Sequence, residues 1–135
     1  MRFVDTNVLL YAISSDPAEA TKADRAVALL NEPDLALSVQ VLQEFYVQAT
    51  RPTAPVRMTH DEAVAVIATL LRFPVQETTV PLVQLALATR ARWQISYWDA
   101  AIVAAARLLG CENLYSEDLQ HNQDFDGVRV VNPFV

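Results

Sequence analysis

The stretch Arg2-Phe3-Val4-Asp5-Thr6-Asn7-Val8-Leu9 decides the fold of this 135-residue chain. The segment from Arg2 to Asp5 is short and favours a strand, and the segment from Thr6 to Ala12 favours a helix. A strand that ends in a carboxylate at the start of a helix is typical of α/β proteins. We therefore expect Asp5 to lie where the first strand of a sheet meets a helix.

The rest of the chain continues this alternation of short apolar runs and helical patterns. Strands are predicted at 35–38, 75–78, 113–116 and 128–131. Helices are predicted at 18–32, at 39–50, at 59–72, from residue 79 onward and from residue 96 to Gly110, with a proline loop at 51–55. Such alternation predicts a three-layer α/β/α fold, in which helices flank a parallel sheet of four to five short strands. Active sites of such sheets lie beyond the carboxyl ends of the strands.

Composition narrows the class of protein. The chain is 53% hydrophobic and 19% charged, which fits one folded domain spanning 1–135. A net charge of −6 excludes nucleic-acid binding by bulk positive charge alone. Two glycines are too few for a dinucleotide loop, and the single cysteine, Cys111, excludes an internal disulfide or a cysteine zinc cluster. No apolar run reaches the length of a membrane span, roughly 18 residues, so we expect a soluble cytoplasmic protein.

Four acidic residues lie where an α/β active site is expected, although each also has a structural explanation. Asp5 is a possible cap of the first helix, and Ser96-x-x-Asp99 matches a capping box. Glu44 falls on the solvent side of its helix unless more than one side is covered. Asp118 lies in an ordinary polar loop. Taken one at a time, these acids do not indicate a function.

Together the four acids indicate more, if they converge. Two carboxylates about 4 Å apart repel by roughly 4 kcal/mol at an effective dielectric near 20, so a cluster must take up protons or bind a cation. Oxygen ligands favour Mg²⁺ or Mn²⁺ over zinc. An ion held in this way can activate water and neutralise a phosphodiester. The chemistry implied is metal-dependent hydrolysis of a phosphate ester, but sequence spacing alone does not establish convergence.

Five segments in this order resemble the PIN domain family, and most closely the VapC toxins of bacterial toxin–antitoxin pairs. They are Phe3–Leu9, Val41–Phe45, Ser96–Ile102, Leu114–Asp118 and Gly127–Phe134. The resemblance extends over nearly the whole chain. It implies a PIN-like fold whose sheet edge gathers acids around one or two Mg²⁺ or Mn²⁺ ions.

The resemblance also implies roles for individual residues. The catalytic and metal-binding acids are Asp5, Glu44, Asp99 and Asp118, of which Asp5 and Asp99 lie closest to the ion. Asn7 and Ser116 match positions that orient the acids through hydrogen bonds. Asp124 lies close enough along the chain to compete with Asp118 as the fourth acid.

The activity implied by the resemblance is endonucleolytic cleavage of single-stranded RNA by a metal-activated water. The partners implied are a VapB-like antitoxin and a second copy of the chain in a homodimer. Arg51 and Arg57, which flank the proline loop, are candidate contacts to RNA phosphates. Each arginine also has a simpler explanation, as an ordinary solvated charge on the protein surface.

Two alternatives from other functional classes remain at this point. The first is a phosphoryl-transfer enzyme of the haloacid-dehalogenase or receiver type, with Asp5 as the nucleophile. The dehalogenase type requires a second acid two residues later, where this chain has Asn7. The second alternative is a non-catalytic PIN-like module that binds RNA or protein, in which clustered acids would bring repulsion without benefit.

Overall fold

The computed structural model describes residues 1–54 and 57–135, which form a central sheet flanked by helices. The strands are β1 (Arg2–Val4), β2 (Leu35–Ser38), β3 (Val75–Gln76), β4 (Asn113–Tyr115), β5 (Asp124–Phe125) and β6 (Val128–Val131). The helices are α1 (Thr6–Ala12), α2 (Ala20–Leu30), α3 (Val39–Thr50), α4 (His60–Leu70), α5 (Val80–Trp93) and α6 (Tyr97–Leu108). The predicted α/β fold is confirmed.

The sheet has the order β3-β2-β1-β4-β6-β5, with β1 in its interior. Phe3 of β1 lies beside Ala36 on one side and Leu114 on the other, and both pairings are parallel. Parallel pairing brings the carboxyl ends of β1, β2 and β4 to one edge of the sheet. The chain leaves these ends at Asp5, at the start of α3 and at Ser116, so residues distant in sequence meet at that edge.

Helix α6 is the most deeply buried helix. Seven consecutive residues, 100–106, are buried, and the helix contacts β2, β3, β4 and β6. Five of these seven residues are alanine, so α6 can approach the sheet closely. Helix α5 packs on α6, while α1 contacts α2 and α3, and α3 contacts α4. The first turn of α6 is thereby fixed relative to the sheet.

Four helices begin with a side-chain cap. Ser38, Thr59, Thr79 and Ser96 each accept a hydrogen bond from a backbone N–H in the first turn of the following helix. Thr59 has a complete capping box, because the Glu62 carboxylate also accepts from the Thr59 backbone N–H. These caps fix where each helix begins and therefore which of its residues face the sheet edge.

The structure adds one strand that the sequence does not predict. Asp124 and Phe125 form β5, which pairs antiparallel with β6 at the edge of the sheet. Asp126 and Gly127 connect the two strands with φ values of 53° and 102°, the two consecutive positive values that a tight hairpin of this kind requires.

Other boundaries differ by a few residues. The helix predicted at 18–32 begins with a 3₁₀ turn at Pro17–Glu19 and ends at Leu30. The predicted proline loop extends to Pro55, which lies outside the described residues. Within residues 1–54 and 57–135, none of the helices combines the length and the hydropathy that crossing a bilayer requires.

Candidate active site

A cavity of about 390 Å³ opens at the carboxyl edge of the sheet. Asp5, Glu44, Asp99 and Asp118 all line it. They come from the end of β1, the middle of α3, the first turn of α6 and the loop after β4. Four segments that are far apart in the sequence therefore contribute these four acidic side chains to the same cavity.

Asp5 is the most buried of these acids, with 5% of its surface exposed. Its Oδ1 accepts from the backbone N–H of Thr6 at 2.7 Å, and its Oδ2 accepts from the Ser116 hydroxyl at 2.8 Å. Burial raises the pKa of Asp5 from 3.8 to about 7, against these two hydrogen bonds, and the charges of Asp118 and Glu44 raise it further. Asp5 both caps α1 and faces the cavity.

Glu44 is half-buried because α1 and the start of α6 cover its side of α3. The Thr6 hydroxyl donates to Glu44 Oε2 at 2.7 Å, and Gln40 Nε2 donates to Glu44 Oε1 at 2.9 Å. Gln40 Nε2 also lies 3.2 Å from the backbone carbonyl oxygen of Trp98, which accepts from it. From the sequence, Glu44 faces solvent unless more than one side of α3 is covered. In the structure, more than one side of α3 is covered.

Asp99 and Asp118 complete the acidic lining. The backbone N–H of Asp99 donates to the Ser96 hydroxyl, so the predicted cap of α6 is present, while the Asp99 carboxylate lines the cavity. Partial burial raises the pKa of Asp99, and the charges of Asp118 and Glu44 add to this effect. Asp118 is exposed, and its backbone N–H donates to the Ser116 hydroxyl at 3.2 Å.

The two predicted orienting residues behave differently. Ser116 is completely buried and connects Asp5 to the backbone of Asp118 through its hydroxyl. Asn7 lines the cavity, but it makes no hydrogen bond to the acids in the described part of the chain. Both polar atoms of its amide are buried and have no partner there. Because buried polar groups are usually hydrogen-bonded, we expect this amide to contact a water, an ion or a substrate atom.

A network of polar side chains borders the cavity next to Asp118. Lys22 Nζ donates to Glu117 Oε2 at 2.9 Å, and the Tyr11 hydroxyl donates to Glu117 Oε1 at 2.9 Å. Although burial alone raises the pKa of Glu117, these two hydrogen bonds lower it overall. The Lys22 ammonium also lies over the rings of Tyr11 and Phe134. Glu117 also lines the cavity and is paired with a cation, whereas no ion pair within the described residues involves Asp5, Glu44, Asp99 or Asp118.

Other candidates from the sequence lie in different places. Arg51 lines the acidic cavity, whereas Arg57 lines a second cleft and donates to the backbone carbonyl of Thr50. Asp124 lies in the β5–β6 hairpin, where its carboxylate is 3.6 Å from the Arg129 guanidinium. Of the two acids that compete for the fourth position, Asp118 is the one that lines the cavity.

The donor chemistry of the cavity suits a hard divalent cation. Its carboxylates and the unpartnered Asn7 amide offer oxygen ligands, and burial makes the ionised form of Asp5 costly without a compensating charge. In the arrangement described, which omits residues 55 and 56, no three His, Cys, Asp or Glu side chains are grouped tightly enough to hold an ion. Mutual repulsion favours such separation between carboxylates until a cation binds.

Comparison with known families identifies the fold. The model of the PIN domain family matches residues 2–125. The chain belongs to the PIN domain family. Among curated protein sequences, none matches it significantly.

Several solved structures align over most of the chain. The Mycobacterium tuberculosis toxin VapC20, which cleaves the sarcin–ricin loop, is 27% identical, with a TM-score of 0.68 over 87% of this chain and 90% of its own. A toxin–antitoxin complex from Klebsiella pneumoniae is 21% identical, with a TM-score of 0.73 over 98% of both chains. FitAcB from Neisseria gonorrhoeae is 19% identical, with a TM-score of 0.70 over 99% of both chains. The latter two show the fold alone.

Three residues of this PIN domain contact or border the acids without having been predicted to do so. They are Thr6, Gln40 and Trp98. Gln40 precedes Glu44 by four residues on a helix, a spacing that places both side chains on one face and that a sequence can reveal. Thr6 and Trp98 each directly adjoin a candidate acid in the sequence. The contact between Thr6 and Glu44 spans 38 residues and requires the fold to be known.

Proposed function

We propose that this PIN domain is an endoribonuclease that cleaves single-stranded RNA and depends on Mg²⁺ or Mn²⁺. The observation that carries the proposal is the common cavity of Asp5, Glu44, Asp99 and Asp118 at the carboxyl edge of the sheet. VapC20, the relative that is 27% identical, cleaves an RNA loop, which supports RNA as the substrate class.

The proposal assigns roles to the four acids and to two neighbouring polar residues. Asp5 and Asp99 would be the closest ligands of the ion, and Glu44 and Asp118 would complete the set of acids. Ser116 holds Asp5 in position through its hydroxyl. A bound divalent ion supplies an activated water and neutralises charge on the phosphodiester. The Asn7 amide, which has no partner among the described residues, hydrogen-bonds a water or a substrate oxygen.

We assign this activity to the toxin of a VapBC-type pair that acts in the cytoplasm. The aligned structures include toxin–antitoxin complexes that span nearly the whole of this chain, which supports a VapB-like antitoxin as partner. Exposed apolar side chains such as Val47 and Val64 suit a further association, and we assign them to a homodimer.

The central test removes the charge of Asp5. Asp5→Asn preserves the size of the side chain and an acceptor for Thr6, but it removes the carboxylate from the cavity. We expect cleavage of single-stranded RNA in Mn²⁺ to fall by more than about 100-fold, beyond the usual effect of losing a residue that only orients a ligand. The measurement is the rate of cleavage of a labelled RNA, with and without excess EDTA.

Asp124→Asn is the matched control, since Asp124 is an acid of the same type in the hairpin rather than in the cavity. It should cleave at the wild-type rate. Wild-type activity in Asp5→Asn, or undiminished wild-type activity in EDTA, would show that the proposed chemistry is wrong. A phosphorylated Asp5 isolated during turnover would instead support the phosphoryl-transfer alternative.

A further inference from the structure

Trp98 is an exposed aromatic residue at the margin of the acidic cavity. Its side chain is 65% exposed, and it both lines the cavity and immediately precedes Asp99. Tryptophan usually buries a large part of its surface, because the indole is the largest apolar side chain. The other tryptophan, Trp93, follows this rule and packs edge-on against Phe125 at 5.3 Å. The exposure of Trp98 therefore requires an explanation.

The backbone at Trp98 is held in a fixed position relative to the acids. Gln40 Nε2 donates both to the Trp98 carbonyl oxygen, at 3.2 Å, and to Glu44 Oε1, at 2.9 Å. The Tyr97 ring contacts the Trp98 ring at 5.1 Å and 80°, an edge-to-face arrangement. One such contact covers at most one face of the indole. The indole thus has an anchored backbone and an open face beside the cavity.

The electrostatics of the cavity show what this open face can recognise. Its walls carry several carboxylates, and the chain as a whole has a net charge of −6, so phosphate groups gain little from the surrounding protein. Lys22, at the Glu117 end of the cavity, already pairs with Glu117, and Arg51 is the cation that lines the cavity. A single-stranded nucleic acid must then obtain much of its affinity from its bases, and base stacking on an aromatic ring does not depend on charge.

We infer that Trp98 is a stacking platform for an unpaired nucleobase next to the scissile phosphate. This inference rests on the proposed ribonuclease function and adds a residue that positions the substrate. Trp98 and Asp99 line the same cavity, so a base stacked on the indole places the neighbouring phosphate near the carboxylates. Paired bases cannot reach the indole, which makes the platform selective for single strands.

Kinetics separate this role from a structural one. We expect Trp98→Ala to raise KM for a single-stranded RNA about tenfold, the effect of one base–aromatic stack, while kcat stays within about twofold. Trp98→Phe should restore most of the affinity because it retains an aromatic face. Leu71→Ala is the control, since Leu71 is 58% exposed and is not among the residues that line the cavity. It should leave KM unchanged.

Fluorescence gives a direct measurement of the contact. In the double variant Trp93→Phe/Asp5→Asn, Trp98 is the only tryptophan and cleavage is prevented. We expect a labelled single-stranded RNA to quench the Trp98 emission at the concentrations where anisotropy of the label shows binding. A duplex of the same sequence should leave the emission unchanged.

The outcomes distinguish this inference from the function on which it rests. If wild-type protein cleaves RNA while Trp98→Ala has the wild-type KM, or if RNA binds without changing the Trp98 emission, only the stacking role is wrong. If Trp98→Ala leaves RNA binding intact but dissociates a dimer in sedimentation, the indole is a protein contact and the inference is overturned. If the wild type neither binds nor cleaves RNA, both proposals are wrong.

Discussion

Asp5 makes two hydrogen bonds, of which its sequence context predicts only one. One carboxylate oxygen accepts from the Thr6 backbone at the start of α1, and the other accepts from the Ser116 hydroxyl at the end of β4. The first contact is local and follows from a strand–helix junction. The second joins residues 111 positions apart and depends on the pairing of β1 with β4. The sequence predicts the cap, and only the fold provides the second partner.

Burial of Asp5 makes the stability of the ion-free protein depend on pH. The pKa of the Asp5 carboxyl is 3.8 in the unfolded chain and about 7 in the folded one. Between these pH values the folded state therefore binds more protons than the unfolded state. Stability should therefore fall as the pH rises from about 4 to 7. The full shift corresponds to a few kcal/mol, on the order of 4. Urea unfolding in EDTA at several pH values measures this dependence.

Asp5→Asn should remove this cost and be more stable than the wild type at pH 8 without metal. The Asn amide can accept from Thr6 and donate to Ser116, so the local contacts are retained. Addition of Mn²⁺ should raise the unfolding midpoint of the wild type but not that of the variant. A variant with the same pH slope as the wild type would show that Asp5 is not the group responsible.

At the level of elements, the pattern of strands and helices is readable because most segments have strong local signals. Strands β2 and β6 and helix α3 lie at the predicted residues, and the Thr59 capping box marks α4. Strand β5 is the exception, since it has two residues and Phe125 is its only apolar one. This strand forms through its pairing with β6. Two residues are too few to show the alternation of apolar and polar side chains that identifies a strand in a sequence.

Contacts between elements are the part of the site that the sequence does not show. Gln40 of α3 donates to Glu44 and to the backbone of Trp98, which joins α3 to the start of α6. The spacing of Gln40 and Glu44 is visible in the sequence, whereas the crossing of α6 over this point is not. Gln40 therefore positions two walls of the cavity relative to each other.

Gln40→Leu should weaken metal binding without touching any proposed ligand. The substitution keeps the approximate size of the side chain but removes the donor, so Glu44 and the first turn of α6 lose their common partner. We expect Mn²⁺ affinity measured by calorimetry to fall about tenfold. Gln48→Leu, on the same helix and also lining the cavity, should bind Mn²⁺ like the wild type. Equal affinities of the two variants would contradict a positioning role for Gln40.

At the level of the whole molecule, positive charge is scarce, and half of the basic side chains form ion pairs. Arginine and lysine number 10 against 16 acidic residues. Cations within 4 Å of a carboxylate include Arg2, Lys22, Arg92, Arg107 and Arg129. The composition correctly excludes a broad basic surface, and the structure adds that Arg51 lies at the acidic cavity. Few phosphates can therefore be neutralised by the protein itself.

This scarcity predicts a weak dependence of RNA binding on salt. Each neutralised phosphate of a single strand contributes about −0.7 to the slope of log K against log salt concentration, so two or three contacts give a slope no steeper than about −2. Arg51→Ala, in an Asp5→Asn background that prevents cleavage, should make the slope shallower by about 0.7. Arg72→Ala removes a cation that contacts Phe73 and backbone carbonyls, and it should leave the slope unchanged. Anisotropy of labelled RNA across a KCl series measures all three slopes, and a steep wild-type slope that Arg51→Ala leaves unaltered would show that RNA binds a basic surface elsewhere on the molecule.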